Sequence, residues 1–184
     1  MIEHIVLGFL MHRSMTLYDI KKGMEKSTEH FSSASFGSLH PTVQRLEKQG
    51  LIEGQEETVG GRNRKLYTLT EAGRQQFLNW LEQDIELEKV KDNSLLKLFF
   101  LGHLPRDQVK HLIERYCEHL EKQVQLLGEL HAQAQQIQVP EDLERIKEHQ
   151  VATLEFGMAY YQFARNWYAE KFLKSPSVQP SEIP

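Results

Sequence analysis

The sequence predicts a mostly α-helical protein in which an N-terminal winged helix-turn-helix precedes an all-α part. Two observations indicate this fold class. Within residues 1–88, helical apolar spacing is interrupted once by strand-like sequence around a Gly-Gly pair. From residue 89 to residue 174 the spacing is helical throughout. Three helices, a two-stranded β wing and a fourth helix form a winged helix-turn-helix, and long helices after it suit an all-α dimerisation domain.

Two helices are predicted before residue 27. Apolar residues three and four positions apart within 1–12 indicate an amphipathic first helix. Thr16 is a typical N-cap residue, because its hydroxyl can accept a hydrogen bond from an amide in the first helical turn. The inward stripe of this second helix consists of Leu17, Ile20 and Met24.

A third helix is predicted to end at Gly50, a residue type that suits a helix C-terminus. Ser35 can open this helix, and Pro41 is compatible with it only in about the first turn, where a missing amide costs no hydrogen bond. The apolar side of the helix consists of Leu39, Val43 and Leu46.

The hairpin follows directly. Residues 51–58 form a short, strongly charged candidate strand, and residues 65–69 form a clearer one, with the Gly60-Gly61 turn between them. Thr70 is then expected to cap a fourth helix. The predicted apolar face of that helix consists of Phe77, Leu78, Leu81 and Ile85.

The second part is predicted to contain two long helices. Pro105 begins one that reaches residue 137, and Pro140 begins another that reaches residue 173. Apolar residues repeat every three and four positions along the first, which indicates packing against another helix. Because a small domain cannot bury so much apolar surface, a second copy of the chain is the expected partner, and a closed monomeric core is the alternative. We expect the proline-containing tail, 175–184, to be disordered.

Charge is distributed unevenly along the chain. The net charge of −4 argues against a generally cationic nucleic-acid binder. Residues 1–75 contain ten Lys/Arg and nine Asp/Glu, whereas residues 76–184 contain twelve and seventeen. Any attraction to phosphate must therefore come from clustered basic residues in the first part.

One such cluster lies on the third helix. At 100° per residue, the side opposite the apolar stripe holds small polar residues near the N-terminus and cations further along, a pattern that suits entry into a major groove. Arg45 can pair with guanine or phosphate, and Gln44 can pair with adenine. The alternative is an ordinary solvated face. The residues on this side are Ser38, Pro41, Gln44, Arg45 and Lys48.

The second cluster is the hairpin tip, where residues 60–65 read Gly-Gly-Arg-Asn-Arg-Lys. Three cations on a narrow ribbon repel one another, and a neighbouring phosphate backbone relieves that repulsion. Arg62 and Arg64 are also long enough to enter a minor groove. A plain charged turn is the alternative. On the second helix, phosphate contacts are expected from Lys21, Lys22 and Lys26.

In combination, three segments resemble the PadR family of transcriptional regulators: LYDIKK at 17–22, SFGSLHPTVQRLEKQGLI at 35–52 and GGRNRKLYTLTEAG at 60–73. The second half resembles the helical dimerisation domain of the larger PadR subgroup, with Trp167 at an aromatic position of its last helix. The resemblance departs at Thr16-Leu17, where a His-Gly pair is common, and at His40, where a tyrosine is common.

The resemblance implies a homodimeric repressor that binds a pseudo-palindromic operator in double-stranded DNA. It also implies release by a small, often aromatic, effector near the dimer interface. Together with the charge pattern, it assigns DNA contacts to Tyr18, Lys21, Lys22, Ser35, Ser38, His40, Pro41, Gln44, Arg45, Lys48, Gly61, Arg62, Arg64 and Lys65.

The last helix is rich in aromatic residues that suit an effector pocket, although ordinary core or dimer packing is the alternative for such spacing. These residues, with one cation among them, are Phe156, Tyr160, Tyr161, Phe163, Arg165, Trp167 and Tyr168.

Other function classes have little support. The chain lacks the G-x-S-x-G, P-loop and H-E-x-x-H motifs, so we expect no enzyme activity and no cofactor. His111 and His119 are too weakly supported for a metal site, and Cys117 is expected to be a small half-buried residue rather than a redox sensor. We expect a cytoplasmic protein without a membrane span. The competing function is a winged-helix protein-interaction module that does not bind DNA.

Overall fold

The computed structural model describes residues 2–28, 31–32, 36–59, 62–87 and 93–174. Two compact units divide the chain, Met1–Glu88 and Lys89–Pro184. The predictions for Ser35, for the Gly60-Gly61 turn and for the tail 175–184 concern residues outside the described ranges.

The first unit is the predicted winged helix-turn-helix. Its helices and strands, in chain order, are α1 (Ile2–Leu10), β1 (Met15–Thr16), α2 (Leu17–Lys26), α3 (Leu39–Lys48), β2 (Ile52–Val59), β3 (Arg62–Leu69) and α4 (Glu71–Leu81), with a short 3₁₀ turn, Phe36–Ser38, directly before α3. The fold class predicted from the sequence is therefore confirmed.

A third strand joins the predicted hairpin. The sheet order is β1-β3-β2, and both pairs are antiparallel. Strand β1 has only two residues, with Met15 opposite Tyr67 and Thr16 opposite Leu66. Two residues are too few to show an alternating pattern, so the sequence contains no local signal for this strand.

The core of the first unit lies between α1, α2, α3 and the sheet. Val6 and Leu7 of α1, Ile20 of α2, Leu46 of α3 and Ile52 of β2 are at most 1% exposed. The predicted inward residues of α2 and α3 contribute to this cluster. Because the apolar sides of these helices are buried, the opposite side of α3 is left at the surface.

Capping residues begin α2 and α4 as predicted. The Thr16 hydroxyl accepts a hydrogen bond from the Asp19 amide at 3.2 Å, and the Asp19 carboxylate accepts one from the Thr16 amide, which completes a capping box. The Thr70 hydroxyl accepts from the Gly73 amide at 3.1 Å. After α3, Gly50 has a φ of 71°, the left-handed conformation that glycine adopts readily.

One prediction about α4 is wrong. The helix ends at Leu81, so Ile85 does not continue its apolar face and is fully exposed. Leu81 is itself 56% exposed, and Phe77 is the member of the predicted face that packs against the core. The apolar repeat continues past the helix end because apolar spacing alone does not mark where a helix stops.

The second unit is all-α in its described part. It contains α5 (Asn93–Phe100), α6 (Arg106–Gln136) and α7 (Glu141–Tyr168), with a π-helical turn at Ala169–Leu173. As predicted, a proline stands immediately before each long helix. Ile113, Leu120 and Leu127 of α6 lie one heptad apart and are buried, and α6 packs lengthwise on α7. Within the described ranges, no helix combines the length and apolar character that a membrane span needs.

Candidate nucleic-acid interface

The surface of α3 is polar. His40, Pro41, Gln44, Arg45 and Lys48 are exposed. By helical geometry Pro41, Gln44 and Lys48 point away from the core, whereas Arg45 and Glu47 lie on the two flanks of this face. Ser38 stands at the N-cap position with its side chain half-buried.

On one flank, Arg45 is held by Glu3 of α1. The Arg45 Nη2 atom lies 2.9 Å from Glu3 Oε2, and the other carboxylate oxygen, Oε1, accepts a hydrogen bond from Gln76 Nε2 at 2.8 Å. A single carboxylate thus joins α1 to both α3 and α4. Sequence reasoning missed this contact, because no local pattern relates positions 3 and 45.

On the other flank, Glu47 is held by Lys65 of β3. The Lys65 Nζ atom lies 2.7 Å from Glu47 Oε1. This hydrogen bond raises the pKa of Lys65 above its ordinary value. Gly54 of β2 provides the space, because a Cβ at this position would lie 2.1 Å from Lys65 Cε. This ion pair connects strand β3 of the wing to α3.

Along the wing, Arg64 lies directly across the hairpin from Glu57, and its Nη2 atom is 3.0 Å from Glu57 Oε2. Arg62 is the first residue of β3, opposite Val59. The tip therefore has fewer unneutralised cations than the linear sequence suggested. The register of the hairpin was the signal that could have revealed the Arg64 partner, because residues facing each other across antiparallel strands interact.

Helix α2 adds a mixed aromatic and cationic surface. Tyr18 is 61% exposed, and the Lys22 Nζ atom lies 4.9 Å from the centre of its ring. A hydrogen bond with Tyr18 raises the pKa of Lys22. Lys21 lies 3.6 Å from Glu25 one turn further along. Of the fourteen predicted DNA contacts, only Ser35 and Gly61 lie outside the described residues.

Family comparisons agree with this arrangement of elements. The model of the transcriptional regulator PadR-like family matches residues 6–79, and the model called virulence activator alpha C-term matches residues 90–171. The PadR-like match lies within the first unit of the chain, and a separate family model matches the second.

Similar proteins include the negative transcriptional regulator PadR of Bacillus subtilis, which is 28% identical over 131 residues, 70% of each chain. The crystal structure of that protein with operator DNA superposes with a TM-score of 0.80 at 21% identity, covering 93% of this chain and 96% of that one. Its structure with p-coumaric acid has a TM-score of 0.77 at 20% identity, with the same coverage. These structural similarities show a shared fold.

In the second unit, the aromatic residues of α7 fall into two groups. Tyr168 is 4% exposed and packs edge-on against Tyr116 of α6, with 5.0 Å between the ring centres. Phe156 and Phe163 are instead 74% and 67% exposed. The predicted set therefore divides between the core of the unit and its surface.

Arg165 and Cys117 lie beside that core. Arg165 Nε is 2.6 Å from Glu121 Oε2, an ion pair that joins α7 to α6. The Cys117 thiol donates a long hydrogen bond to the Arg165 carbonyl oxygen, and burial raises its pKa. A higher pKa lowers the thiolate fraction, which is consistent with the packing role expected for Cys117. No cluster of metal-ligating side chains occurs among the residues that the structure describes.

Proposed function

We propose that this PadR-like regulator binds a pseudo-palindromic operator in double-stranded DNA as a homodimer and represses transcription until a small aromatic effector releases it. The observation that carries the proposal is the polar, partly cationic face of α3 beside a wing whose strand β3 carries Arg62, Arg64 and Lys65, all in one unit. The competing interaction module explains neither feature.

In this proposal, the N-terminal part of α3 enters the major groove. The outward residues Gln44 and Lys48 are within reach of base edges and phosphates. Pro41 has a small side chain, so the N-terminal end of α3 can approach the bases closely. Tyr18 and Lys22 of α2 lie at the DNA backbone and set the register of the protein without reading bases. The wing, with Arg62 and its neighbours, follows the adjacent phosphates or minor groove.

The second unit supplies the dimer contact. Its described helices expose far more large apolar side chains than a monomer commonly leaves in water. A second copy is the simplest partner, because the same face on both chains can then close a two-fold interface. These exposed side chains are Leu95, Leu96, Phe99, Phe100, Leu104, Leu126, Ile137, Ile146, Phe156, Tyr160, Phe163 and Trp167.

The effector is proposed to be a small aromatic molecule that binds beside the exposed aromatic residues of α7. Bacillus subtilis PadR has a structure with p-coumaric acid, which supports this ligand class. The effector acts by favouring a dimer in which the two α3 helices no longer match successive major grooves. We further propose a regulatory rather than enzymatic role, in the cytoplasm and without a cofactor.

The test is a binding titration with a genomic fragment selected by the purified protein and with a shuffled duplex of the same length. We expect Lys48→Ala to weaken both complexes and to reduce the salt slope by about 1.8, because each protomer of the dimer loses one phosphate contact. Gln44→Ala should cost about 1–3 kcal/mol per half-site of the selected fragment and relax preference at one base pair of each half-site.

Lys110→Ala is the control, since Lys110 lies on α6 in the second unit and forms an i,i+4 pair with Glu114. It should leave both titrations unchanged. A parent protein that binds no duplex at low ionic strength would contradict the proposal and favour the interaction module.

A further inference from the structure

We propose that Glu3 is a positioning residue for the recognition helix: it holds Arg45 in an exchangeable ion pair that weakens binding to non-operator DNA. The inference rests on the proposed function and deepens it, because it concerns how the same surface discriminates between DNA sequences.

The geometry places Glu3 where it can control Arg45. Its carboxylate side chain is 23% exposed, and each oxygen has a different helix as partner, Arg45 on α3 at 2.9 Å and Gln76 on α4 at 2.8 Å. The Gln76 hydrogen bond orients the carboxylate independently of Arg45. Glu3 therefore presents a fixed acceptor to the guanidinium rather than following it.

Arg45 is free to exchange partners. Its side chain is 53% exposed and lies on the flank of the face that is proposed to meet DNA. An exposed ion pair of this kind is weak in water, so a phosphate or guanine edge at the same distance can replace the carboxylate. A guanidinium can also form two parallel hydrogen bonds to one phosphate, and this bidentate geometry favours the exchange from Glu3 to DNA.

The ion pair therefore lowers DNA affinity mainly in complexes in which α3 is not closely seated. On an arbitrary duplex, α3 does not seat closely, so Arg45 stays with Glu3 and releases no counterion from the DNA. On the operator, close seating of α3 brings Arg45 to a phosphate or base, and the exchange occurs. The ion pair thereby increases the ratio of operator affinity to non-operator affinity.

Glu3→Gln tests this directly, because glutamine can still accept the hydrogen bond from Gln76 but no longer neutralises Arg45. We expect affinity for the shuffled duplex to rise about two- to five-fold for each protomer that contacts it, the range set by an exposed ion pair. With both protomers in contact, the salt slope on that duplex should steepen by about 1.8, since each Arg45 now contacts one phosphate. Affinity for the selected genomic fragment should rise less.

A double-mutant cycle separates this effect from a simple change in net charge. In an Arg45→Ala background, Glu3→Gln should change neither the affinity nor the salt slope for the shuffled duplex. Glu118→Gln, which removes one exposed carboxylate from α6 in the second unit, is the matched control and should also leave the salt slope unchanged. Glu3→Ala is a second variant with the same expected result, and thermal unfolding checks that each variant is folded.

Equal gains for Glu3→Gln with and without Arg45, or an equal gain for Glu118→Gln, would overturn the inference. So would an unchanged ratio of the two affinities in Glu3→Gln. In these cases the parent protein still binds its selected fragment, whereas failure of the proposed function itself would appear as a parent that binds no duplex.

Discussion

At the scale of single residues, cations of the proposed DNA face lie against carboxylates of their own unit. Arg45, Arg64 and Lys65 each have an acidic partner at 3.0 Å or less. All three pairs are substantially exposed, and such pairs add little to folding stability. Their main effect is to hold each cation in place before DNA binds. We therefore attribute the proposed discrimination between operator and non-operator DNA to individual residues.

His4 shows a second residue-level competition. Its imidazole stacks on the Trp80 indole with 4.2 Å between ring centres and 5° between planes. A protonated imidazole would gain a cation–π attraction there, but partial burial removes water from the charge. Burial lowers the pKa of His4, and it outweighs the opposing effect of the neighbouring Glu3 carboxylate.

A pH prediction follows from this direction. The pKa of His4 is lower in the folded chain than in the unfolded chain, so the unfolded chain binds more protons as the pH falls. His4 therefore contributes its full stability above the unfolded pKa. That contribution is lost as the pH falls through the folded pKa. The parent should therefore lose more free energy of unfolding between pH 7.5 and pH 5 than a His4→Phe variant. Denaturant unfolding at the two pH values measures the difference.

Emission from Trp80 in a Trp167→Phe background, followed against pH, gives the folded pKa of the stacked imidazole independently. An apparent pKa above that of a solvent-exposed histidine would mean that the cation–π attraction outweighs burial.

At the scale of elements, the start of α4 is hydrogen-bonded to the short link between α3 and β2. The Thr70 hydroxyl donates to the Gly50 carbonyl oxygen at 2.8 Å, and the Thr70 amide donates to the Leu51 carbonyl oxygen at 3.1 Å. Gly73, in the first turn of α4, packs against that same carbonyl group. Since Gln76 lies one turn further along α4, this junction also places the group that orients Glu3.

Gly73→Ala is expected to destabilise the first unit by about 1–3 kcal/mol, the usual range for overpacking. The added Cβ would lie 2.0 Å from the Leu51 carbonyl oxygen, and a backbone atom cannot move aside without shifting a strand. The matched control is Gly102→Ala in the second unit, where a Cβ meets no atom within 4 Å. The measurement is chemical denaturation of both variants. Equal free energies of unfolding in the two variants would show that the Leu51 backbone can shift at little cost.

At the scale of the whole molecule, the two units differ in how completely they bury their apolar residues. The first has one buried cluster formed by α1, α2, α3 and the sheet, whereas most of the exposed large apolar side chains among the described residues lie in the second. A unit with a closed core suits a rigid reader of DNA. A unit with uncovered apolar surface suits assembly, because removing that surface from water is the main driving force for association.

Phe99→Ser and Phe156→Ser are therefore each expected to weaken self-association at least about ten-fold, since burying one such side chain contributes about 1.5–3 kcal/mol. These residues are 81% and 74% exposed in the single chain. Sedimentation over a concentration series is the measurement, and Gln125→Ser, an exposed polar change on α6, is the control. A parent that stays monomeric at every concentration would instead support the closed monomeric core left open by the sequence.

The sequence by itself determined the features that depend on neighbouring residues. Thr16 and Thr70 were recognisable as caps, Gly50 as a helix end, and Pro105 and Pro140 as helix starts, because each acts within one turn of its own position. The heptad spacing of α6 also predicted that this helix packs lengthwise against another helix. For the same reason, the exposed side of α3 could be deduced from its buried stripe.

Only the tertiary structure decided the contacts between distant parts of the chain. The pairing of β1 with β3 and the ion pairs of Arg45 and Lys65 join residues far apart in sequence. The point where α4 stops, before Ile85, depends on what the chain packs against rather than on its apolar repeat. These features follow from chain folding in three dimensions, because a charge or a strand edge acquires its partner only when the backbone brings the two together.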